Sequence, residues 1–510
     1  MNSELFEKLF IFDMANNHQG DLEHGLSIIS EIASIAKDEG IKAGIKFQYR
    51  QLDSFIHPEY VDRTDLKHIP RFQQTRLPLD SYKKMVVEAK KKGLITICTP
   101  FDEESVPVLE GHEVDVIKIG SCSLIDWPLL TEVARTEKPV VISTGGGDIF
   151  DIDKVVSFFS HRHINFALMH CVSIYPTKEE DLQLNQINFL KNRYPFLKIG
   201  FSTHESPDQM IPVQMAVAKG ASVLERHVGI KTDSINLNAY SSTPAQAREW
   251  VRSAKIAFGI CGAEKRLNPQ KEEVDSIHSL KRGVFVNKDI SKGETISRED
   301  IFFAMPYVNG YADSSMLNKK VDRIAALKDI KKNDPVPMEF FVCTEKDDKV
   351  YSVIHKAKGL LYEGRVVIGK TFDVTLSHHH GIESFDKVGA IIIDIINRKY
   401  CKKLIIQVAG QFHPVHFHKK KEETFQVLFG ETTLEIEGEE HVLKPGDTML
   451  VKPGQQHSFW TKTGVIIEEI STTHYPKDSF YSDAQIESGS STRKTKLENA
   501  GHTFEQYDFT

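Results

Sequence analysis

The chain has 510 residues, more than the ~250–300 residues that one hydrophobic core accommodates, so several domains are expected. Lys and Arg number 64 against 71 Asp and Glu, which gives a net charge of −7. This near balance excludes a general attraction to nucleic acid or to an anionic membrane, so an anionic substrate has to be held locally. The sequence has no run of about 18 apolar residues, no cleavable leader pattern and no CxxC pair. We therefore expect a soluble, cytoplasmic protein with reduced thiols.

Short apolar runs alternate with amphipathic segments through the first half of the chain. Eight runs have the composition of β-strands: LFIFDMA, AGIKFQY, LITICTPF, DVIKIGS, KPVVISTG, NFALMHC, LKIGFSTH and ASVLERHV. Segments between them, such as DLEHGLSIISEIASIAKDEG, carry apolar residues at i, i+3 and i+4 and end in Gly, as helices do. Eight buried strands separated by helices predict an α/β fold, a (β/α)8 TIM barrel over residues 1–268.

A barrel of this kind carries its chemistry at the carboxyl ends of its strands. Polar residues occupy those positions: Asp13, Asn17, His18, Lys46, Gln48, Thr99, Lys118, Ser121, Ser143, Thr144, His170, Ser173, Tyr175, Ser202, His204, Glu225 and His227. Two lysines among hydroxyl donors suit a small, multiply charged anion such as phosphate or carboxylate. His204 and His227 end neighbouring strands, so they could share one divalent ion. For any one residue a hydrogen bond near a strand end is the alternative, but their joint placement favours an active site.

These motifs carry a family resemblance. The series NNHQG, IKFQ, CTPFDEESV, DVIKIGS, WPLL, KPVVISTG, MHCVSIYP, GFSTHE and ERH resembles, in order and spacing, the sialic acid synthase family, over residues 9–265. That family condenses phosphoenolpyruvate with N-acetylmannosamine or a related amino sugar. The stretch LKRGVFVNKDISKGETISREDIFFAMP resembles the small β-rich SAF (antifreeze-like, β-clip) domain that follows the barrel, here over residues 279–342. The resemblance also implies a homodimer.

The resemblance assigns roles position by position. It implies phosphoenolpyruvate contacts for Lys46, Gln48, Thr99, Lys118, Ser121, Ser143, Ser173 and Ser202. It implies a divalent metal, Mn²⁺ or Mg²⁺, on His204 and His227. Asp13 and Tyr175 fall on the sugar side, and Asn17 is grouped with the substrate-binding residues. His170 or a metal-bound water is the candidate proton shuttle.

The sugar side departs from the family pattern. Asp13 stands where the family has Glu, Thr203 where it has Asp, and Ser173 where it has Asn. Asn238 lies near an expected acidic sugar ligand, and Met305 replaces the sugar-reaching Arg of the second domain. Unpaired buried polar groups discriminate strongly between substrates. We therefore expect a synthase acting on a variant amino sugar, with its phosphoenolpyruvate side nearly retained.

The pattern changes after a stretch rich in charge and Pro, residues 331–350, which is interpreted as a domain boundary. Short alternating runs then predict an all-β domain over residues 352–480: KLIIQVAGQ, ETFQVLFG, TTLEIEGEEHVL, DTMLVKPG and VIIEEIS. Gly410, His416, His418, Glu423 and Gly430 are spaced as in the first cupin motif, and GDTMLVKPGQQH, ending at His457, supplies the second. Three imidazoles and one carboxylate suit Mn²⁺, Fe²⁺, Ni²⁺ or Zn²⁺, a choice that the sequence leaves open.

The wider stretch, from LSHHHGIESFDKVGA through NRKYCKK, KKKEETF and EEISTTHYPKDSFYSD, resembles the D-lyxose isomerase-like cupins. The resemblance implies proton transfer between adjacent sugar carbons on a metal. Lys421 and Glu437 or Glu468 are acid or base candidates, with a solvated surface as the alternative for each. His378, His379 and His380 are interpreted as a surface turn or a sugar-contacting loop.

Other interpretations stay open. The chain could be a sugar-sensing or scaffold protein with structural metal sites, chiefly a cupin sugar isomerase, or a synthase with a decayed cupin. An aldolase would need a Schiff-base lysine, and Lys118 is the candidate. Residues 481–510 are expected to form a polar tail that begins flexibly and docks through Phe504, Tyr507 and Phe509.

Overall fold

The structure is a computed structural model that describes residues 4–66, 68–263, 266, 268–317, 321–343, 347–369, 372–475, 478–483, 486 and 494–497. It divides into two compact units, Met1–Leu267 and Asn268–Thr510. Among the described helices, none combines the length and the apolar character that crossing a bilayer requires. The five described cysteine side chains, Cys98, Cys122, Cys171, Cys261 and Cys401, are free thiols. Phe504, Tyr507 and Phe509 lie outside the described residues.

The first unit is a closed barrel of eight parallel strands, as predicted. The strands are β1 Leu9–Asp13, β2 Lys42–Tyr49, β3 Ile95–Pro100, β4 Val116–Ile119, β5 Val140–Ser143, β6 Phe166–Cys171, β7 Lys198–Thr203 and β8 Val223–His227. Seven fall within one predicted run each, and β2 begins one residue before its run, at Lys42. The barrel closes where β1 pairs with β8, and the register sets Asp13 between Lys46 and His227.

Ten helices of this unit are described: α1 Leu22–Glu39, α2 Leu52–Phe55, α3 Ile69–Gln74, α4 Leu79–Lys91, α5 Ser105–Gly111, α6 Trp127–Arg135, α7 Ile149–Ser160, α8 Asn185–Arg193, α9 Ile211–Ala218 and α10 Pro244–Cys261. Helix α1 begins at Asp21, whose carboxylate accepts from two backbone N–H groups, and ends at Gly40 with φ of 62°. A capping box of Thr243 and Gln246 starts α10. The apolar stripes of the helices pack on the outward residues of the strands.

The lower interior of the barrel is an apolar plug. Ile11, Ile97, Val141, Met169 and Val223 are fully buried there. Side chains alternate along each strand, so the inward residue two positions further on lies at the carboxyl end, as Asp13 does after Ile11. The polar mouth therefore lies above a closed layer of apolar side chains.

The second unit begins with α11 Lys271–Leu280 and a small β-rich region. Its strands are β9 Gly283–Val286, β10 Thr295–Ile296, β11 Ile301–Ala304, β12 Val321–Ala325 and β13 Phe341–Cys343. They form a three-stranded sheet and a two-stranded sheet around a core that includes Val284, Ile296 and Phe340. This region occupies the predicted SAF position, and that assignment stays a prediction.

The rest of the second unit is built of two antiparallel sheets and the helix α12 Asp347–Glu363. The strands are β14 Asp373–Ser377, β15 Ala390–Asn397, β16 Tyr400–Gln407, β17 Phe412–His418, β18 Glu423–Gly430, β19 Thr432–Ile436, β20 Glu439–Leu443, β21 Thr448–Val451, β22 His457–Trp460, β23 Val465–Thr472, β24 Ser479–Tyr481 and β25 Lys494–Leu497. One sheet has the order β21-β18-β23-β16-β15-β14-β25 and the other β20-β19-β22-β17-β24. The expectation of a flexible tail is wrong for Lys494–Leu497, because this strand pairs with β14.

Candidate active site and candidate metal centre

One cavity of about 1110 Å³ opens at the carboxyl ends of the barrel strands. It brings together thirteen of the predicted site residues: Asp13, Asn17, Lys46, Gln48, Thr99, Lys118, Ser121, Ser143, Ser173, Tyr175, Ser202, His204 and His227. His170 does not line it. Its neighbour Cys171 does, whereas the His170 ring points away from the barrel interior, with Nε2 2.7 Å from the Leu182 carbonyl. His170 therefore does not reach the cavity in which it was expected to shuttle a proton. Alternation along β6 turns the next residue, Cys171, inward instead.

The floor of the cavity holds two buried lysines around one carboxylate. Lys46 Nζ lies 2.8 Å from Glu225 Oε1 and 3.0 Å from Asp13 Oδ2. Lys118 Nζ lies 3.8 Å from the same Glu225 oxygen and donates to Ser143 Oγ at 2.5 Å. Ser202 Oγ also donates to Glu225, at 3.0 Å. Both ammonium groups are thus held at fixed positions a short distance apart, as an anion with two charged ends requires.

The buried lysines and carboxylates on the floor of the cavity influence one another's pKa values. Burial alone would lower the pKa of Lys46, but Asp13 and Glu225 outweigh burial and hold that pKa above its usual value. Burial opposes ionisation of Glu225, yet Lys118 and Lys46 hold the Glu225 pKa well below its usual value. Burial lowers the pKa of Lys118, and Glu225 offsets only part of this change. Lys118 is therefore the cation that gains most from an incoming anion.

Hydroxyl groups complete the floor. Ser121 Oγ accepts from the Gly145 backbone N–H at 3.1 Å. A Cβ at Gly145 would lie 2.3 Å from Ser173 Oγ and 2.7 Å from Ser121 Oγ, so the close approach of these hydroxyls requires glycine. Thr99 Oγ1 is buried without a hydrogen-bond partner. These groups offer donors to oxygen atoms of a bound ligand.

The two predicted histidines lie side by side at the mouth. The ring centroids of His204 and His227 are 5.3 Å apart, and the Tyr240 ring packs 5.1 Å from His227 and 5.9 Å from His204. His204 Nδ1 is 3.1 Å from the Val172 carbonyl, which only accepts, so this nitrogen carries the proton and Nε2 keeps its lone pair. Burial lowers the pKa of His227, and its Nδ1 has no hydrogen-bond partner, 3.4 Å from Asp13 Oδ2. The His204 Nε2 lone pair and the unpartnered His227 Nδ1 fit a divalent cation.

A buried ion pair lies behind these histidines. Glu205 follows His204 and Arg226 precedes His227, and the two side chains are each 1% exposed. Arg226 Nη2 lies 3.3 Å from Glu205 Oε1 and donates to the Ser206 carbonyl at 3.0 Å. This contact ties the end of β8 to the loop after β7, so it fixes the spacing of the two rings.

The cupin-like sheets gather the other predicted ligands. The ligand atoms of His416, His418 and His457 all lie within 4.8 Å of one another, and the three residues are buried. Each Nδ1 faces a backbone carbonyl: Pro414 at 3.0 Å, Asp478 at 2.7 Å and Gln455 at 3.2 Å, respectively. Because a carbonyl only accepts, each Nδ1 carries the proton and the Nε2 lone pairs converge.

Glu423 belongs to the same cluster. Its Oε1 lies 3.3 Å from His418 Nε2, and its Oε2 lies 3.2 Å from His457 Nε2. Glu423 Oε2 and His457 Nε2 nevertheless lack hydrogen-bond geometry and are buried without partners. A carboxylate oxygen and an imidazole lone pair left unpaired at the centre of the cluster fit a cation between them.

Lys421 is buried beside this cluster, which contradicts the surface interpretation. Its ammonium forms ion pairs with Glu423, at 2.5 Å, and with Glu469. Burial opposes these charges, but Glu469 and Glu423 hold the Lys421 pKa above its usual value, and Lys421 holds the Glu423 pKa well below its usual value. Glu437 is exposed at a turn, and Glu468 pairs with Lys402 at 2.7 Å. The acidic residue that faces inward on β23 is therefore Glu469, one position beyond the predicted Glu468.

The His378–His380 stretch is also more buried than predicted. His378 and His379 are each 6% exposed, so the expectation of a surface turn is wrong for them. His379 Nε2 lies 3.2 Å from His413 Nε2, and the His413 ring stacks on Phe459 with centroids 4.6 Å apart. His379 and His413 therefore continue a row of histidine rings from the cluster of His416, His418 and His457 toward β14.

Several cavity residues carried no predicted role. Glu225 is two positions before His227, so alternation along β8 could have placed it inward. Arg50 is two positions after Gln48, so the same alternation could have indicated that it faces inward. Arg71 and Tyr240 also line the cavity, but they belong to segments between strands, where no periodic signal indicates direction.

Fold and site together define a (β/α)8 enzyme with an anion site and a metal-type site at its mouth. Residues 32–266 match the NeuB family and residues 404–467 match the cupin domain. An uncharacterized protein of Methanocaldococcus jannaschii is 31% identical over 292 residues, which are 57% of this chain and 82% of that protein. The N,N'-diacetyllegionaminic acid synthase of Campylobacter jejuni is 27% identical over 314 residues, 58% of this chain and 90% of that enzyme.

A solved structure from Chromobacterium violaceum, provisionally assigned as spore coat polysaccharide biosynthesis protein E, is 43% identical. It aligns with a TM-score of 0.62 and covers 66% of this chain and 100% of that one. The chain belongs to the NeuB family, the sialic acid synthase family that the motifs indicated, and carries a C-terminal cupin domain. It is an enzyme of the carbon–carbon bond-forming synthase class.

Proposed function

We propose that the barrel condenses phosphoenolpyruvate with an amino sugar related to N-acetylmannosamine, forming a nonulosonic acid and releasing phosphate. One arrangement carries the proposal: two buried lysines share Glu225 on the floor of the cavity that His204 and His227 border. A dianionic donor and a metal-polarised acceptor need these two neighbouring environments. The Campylobacter jejuni relative, a legionaminic acid synthase by name, is in keeping with this reaction class.

The proposal divides the cavity into two sides. The donor side binds the carboxylate and phosphate of phosphoenolpyruvate through Lys46, Gln48, Thr99, Lys118, Ser121, Ser143, Ser173 and Ser202. The acceptor side is formed by Asp13, Asn17, Tyr175, His204 and His227. Both sides belong to one continuous space, so the two substrates can meet without crossing solvent.

The chemistry follows from this division. A divalent ion on His204 and His227, Mn²⁺ or Mg²⁺, would supply Lewis acidity toward the sugar aldehyde. The enol carbon of phosphoenolpyruvate bonds to the aldehyde carbon, whose oxygen takes up a proton, and water adds to the phosphate-bearing carbon with the loss of one proton. The C–O bond to phosphate then breaks as the new hydroxyl becomes the keto group, and its proton leaves with the phosphate. Lys118, hydrogen-bonded to Ser143, favours the departing phosphate because its ammonium is the less compensated of the two.

The test is phosphate release from phosphoenolpyruvate by the full chain, across a panel of 2-acetamido hexoses, with and without a chelator. We expect release with at least one acceptor, loss on chelation and recovery with Mn²⁺. Lys118→Met should abolish release, whereas Lys92→Met, which removes an exposed lysine, should not. Release that does not depend on any sugar, or that Lys118→Met leaves intact, would contradict the proposal.

The cupin supports a second activity, metal-dependent sugar binding or isomerisation. The observation that favours it is a cluster of three imidazoles whose ligand atoms lie within 4.8 Å of one another, with the unpaired Glu423 Oε2 3.2 Å from His457 Nε2. The fitting ions are Mn²⁺, Fe²⁺, Ni²⁺ and Zn²⁺. Four protein ligands would leave positions where two adjacent sugar oxygens can bind.

Deuterium uptake tests this second activity. Aldoses incubated with the metal-loaded chain in D₂O should gain deuterium at C1 or C2, detected by NMR, if the cupin isomerises them. His457→Gln should stop the exchange, while His441→Gln, on the edge strand β20, should not. Tight metal binding without any exchange would assign the cupin to sugar binding or stabilisation instead.

A further inference from the structure

Two arginines line the active-site cavity in addition to the predicted residues. Arg50 directly follows β2, and Arg71 lies on the short helix α3. Neither position belongs to the set that the family resemblance assigned. The family resemblance predicts an arginine on the sugar side, but Met305 stands at its position in the second domain. The two cavity arginines have no role in that prediction.

Arg50 is held rigidly. Its guanidinium carbon lies 4.1 Å from the centroid of the Phe72 ring and 3.6 Å from that of Phe101, so two aromatic rings hold the group. Nη2 donates to Gln48 Oε1 at 3.1 Å, while Nε is buried without a partner. Stacking leaves only the edge of the guanidinium for hydrogen bonding, and part of that edge is unused.

Arg71 is oriented by neutral acceptors. Nη1 donates to Gln19 Oε1 at 2.8 Å and Nη2 to the Asn16 carbonyl at 3.2 Å. Both acceptors belong to the loop that follows β1, which also carries Asn17 of the acceptor side. The remaining guanidinium donors are available to a ligand.

Both arginines adjoin the acceptor side. Arg50 reaches Asp13 through one intermediate side chain, because Gln48 Nε2 lies 3.4 Å from Asp13 Oδ2. Arg71 donates to the Asn16 carbonyl, next to Asn17 of the acceptor side, and both asparagines line the cavity. The lysines and serines assigned to the donor lie on the floor instead.

The charge balance differs between the two regions. On the floor, Lys46 and Lys118 face the carboxylates of Asp13 and Glu225. In the part of the chain that the structure describes, neither Arg50 nor Arg71 forms an ion pair with a carboxylate. Burial lowers the pKa of Arg50, and Asp13 and Asp102 oppose this change without forming a direct ion pair. The acceptor side therefore carries two guanidinium groups that are not committed to a carboxylate.

We propose that Arg50 and Arg71 form a subsite for an anionic substituent of the acceptor sugar, a carboxylate or a phosphate borne away from its aldehyde. This inference rests on the proposed synthase function. Guanidinium groups bind both anions through paired N–H donors, and the fixed plane of Arg50 reduces the entropy lost on binding.

The experiment compares three acceptors that differ in one group: N-acetylmannosamine, its 6-phosphate and N-acetylmannosaminuronic acid. We expect one acidic acceptor to exceed the neutral sugar in kcat/KM by about tenfold or more, the value of one charged hydrogen bond. Arg71→Met and Arg71→Gln should remove this preference and leave the Kd of phosphoenolpyruvate unchanged in calorimetry. Comparison of the 6-phosphate with the uronic acid identifies which anion the subsite binds.

The matched control is Arg76→Met, because Arg76 is an exposed arginine of the same segment that pairs with Asp53. It should alter neither preference nor affinity. Equal kcat/KM for neutral and acidic acceptors would overturn the inference, and so would a loss of phosphoenolpyruvate affinity in Arg71→Met, which would assign the arginine to the donor.

Failure of the proposed function is distinguishable from failure of the subsite. If no acceptor yields phosphate, calorimetric binding of the two acidic sugars to wild type and to Arg71→Met still tests the subsite. Binding that weakens about tenfold or more in the variant supports the subsite. Binding that is equal in both, or absent from wild type, overturns it.

Discussion

Replacing Lys421 by Met should make the cupin depend on metal for its stability. The Lys421 ammonium is 3% exposed and stands between the carboxylates of Glu423 and Glu469. Met retains the length and the packing of the side chain but leaves two buried carboxylates without their counter-charge. Glu423, unlike Glu469, can regain a counter-charge from an ion bound to His418 and His457.

The expected magnitudes follow from that difference. Removing one partner of a buried ion pair costs about 3–5 kcal/mol in the metal-free protein. With metal bound, one of the two carboxylates is compensated again, so the cost should fall to roughly half, about 2 kcal/mol. By linkage, the variant should then bind the metal roughly tenfold more tightly than wild type or better.

Amide hydrogen exchange measured by mass spectrometry can resolve this effect in the cupin alone. Peptides from β17 and β18 would be followed with Mn²⁺ and with a chelator, in wild type and in Lys421→Met. The control is Lys402→Met on β16, a half-exposed lysine paired with Glu468, which should cost no more than about 1 kcal/mol. Equal destabilisation of the metal-free and metal-loaded forms, or weaker metal binding by Lys421→Met, would refute the reasoning.

Two further predictions concern the barrel. Gly145→Ala should weaken phosphoenolpyruvate binding, because the added Cβ meets the Ser173 hydroxyl at 2.3 Å, whereas Gly259→Ala, with open space around it, should not; calorimetry measures both. Burial lowers the pKa of His18 to about 4, from 6.5. The unfolded chain therefore binds one more proton between those values, and stability should fall as the pH drops from about 6.5 to about 4. His18→Gln should flatten the dependence of the thermal midpoint on pH in that window; parallel profiles for the two proteins would contradict the assignment.

The sequence predicted the barrel because short apolar runs and amphipathic helical segments alternate through the first half of the chain. It predicted most of the cavity because a barrel of this kind carries its site at the carboxyl ends of its strands, where the polar residues stand. The errors at His170 and Glu468 are each one residue from a correct position, Cys171 and Glu469, and arise where apolar and polar residues are mixed in one strand. Arg71 was not predictable, because the direction of a side chain on a short connecting helix depends on tertiary contacts.

The two metal-type sites should differ in how firmly they hold an ion. The cupin offers three imidazoles and one carboxylate oxygen without a partner, Glu423 Oε2. The barrel offers two imidazoles, and both oxygens of Asp13 are already engaged, by Lys46 and by the Ala15 backbone N–H. An ion in the barrel must complete its coordination with water and substrate oxygens, so its affinity is lower and is coupled to the acceptor. A chelator is therefore expected to remove the barrel ion first, and the acceptor sugar to slow that loss.

Metal content after graded chelation, measured in His227→Gln and His457→Gln, distinguishes the two sites. His227→Gln should retain only the firmly held ion, and His457→Gln only the one that the acceptor protects. Loss of both ions at one chelator concentration, unaffected by sugar, would mean that the barrel site is complete without its substrate.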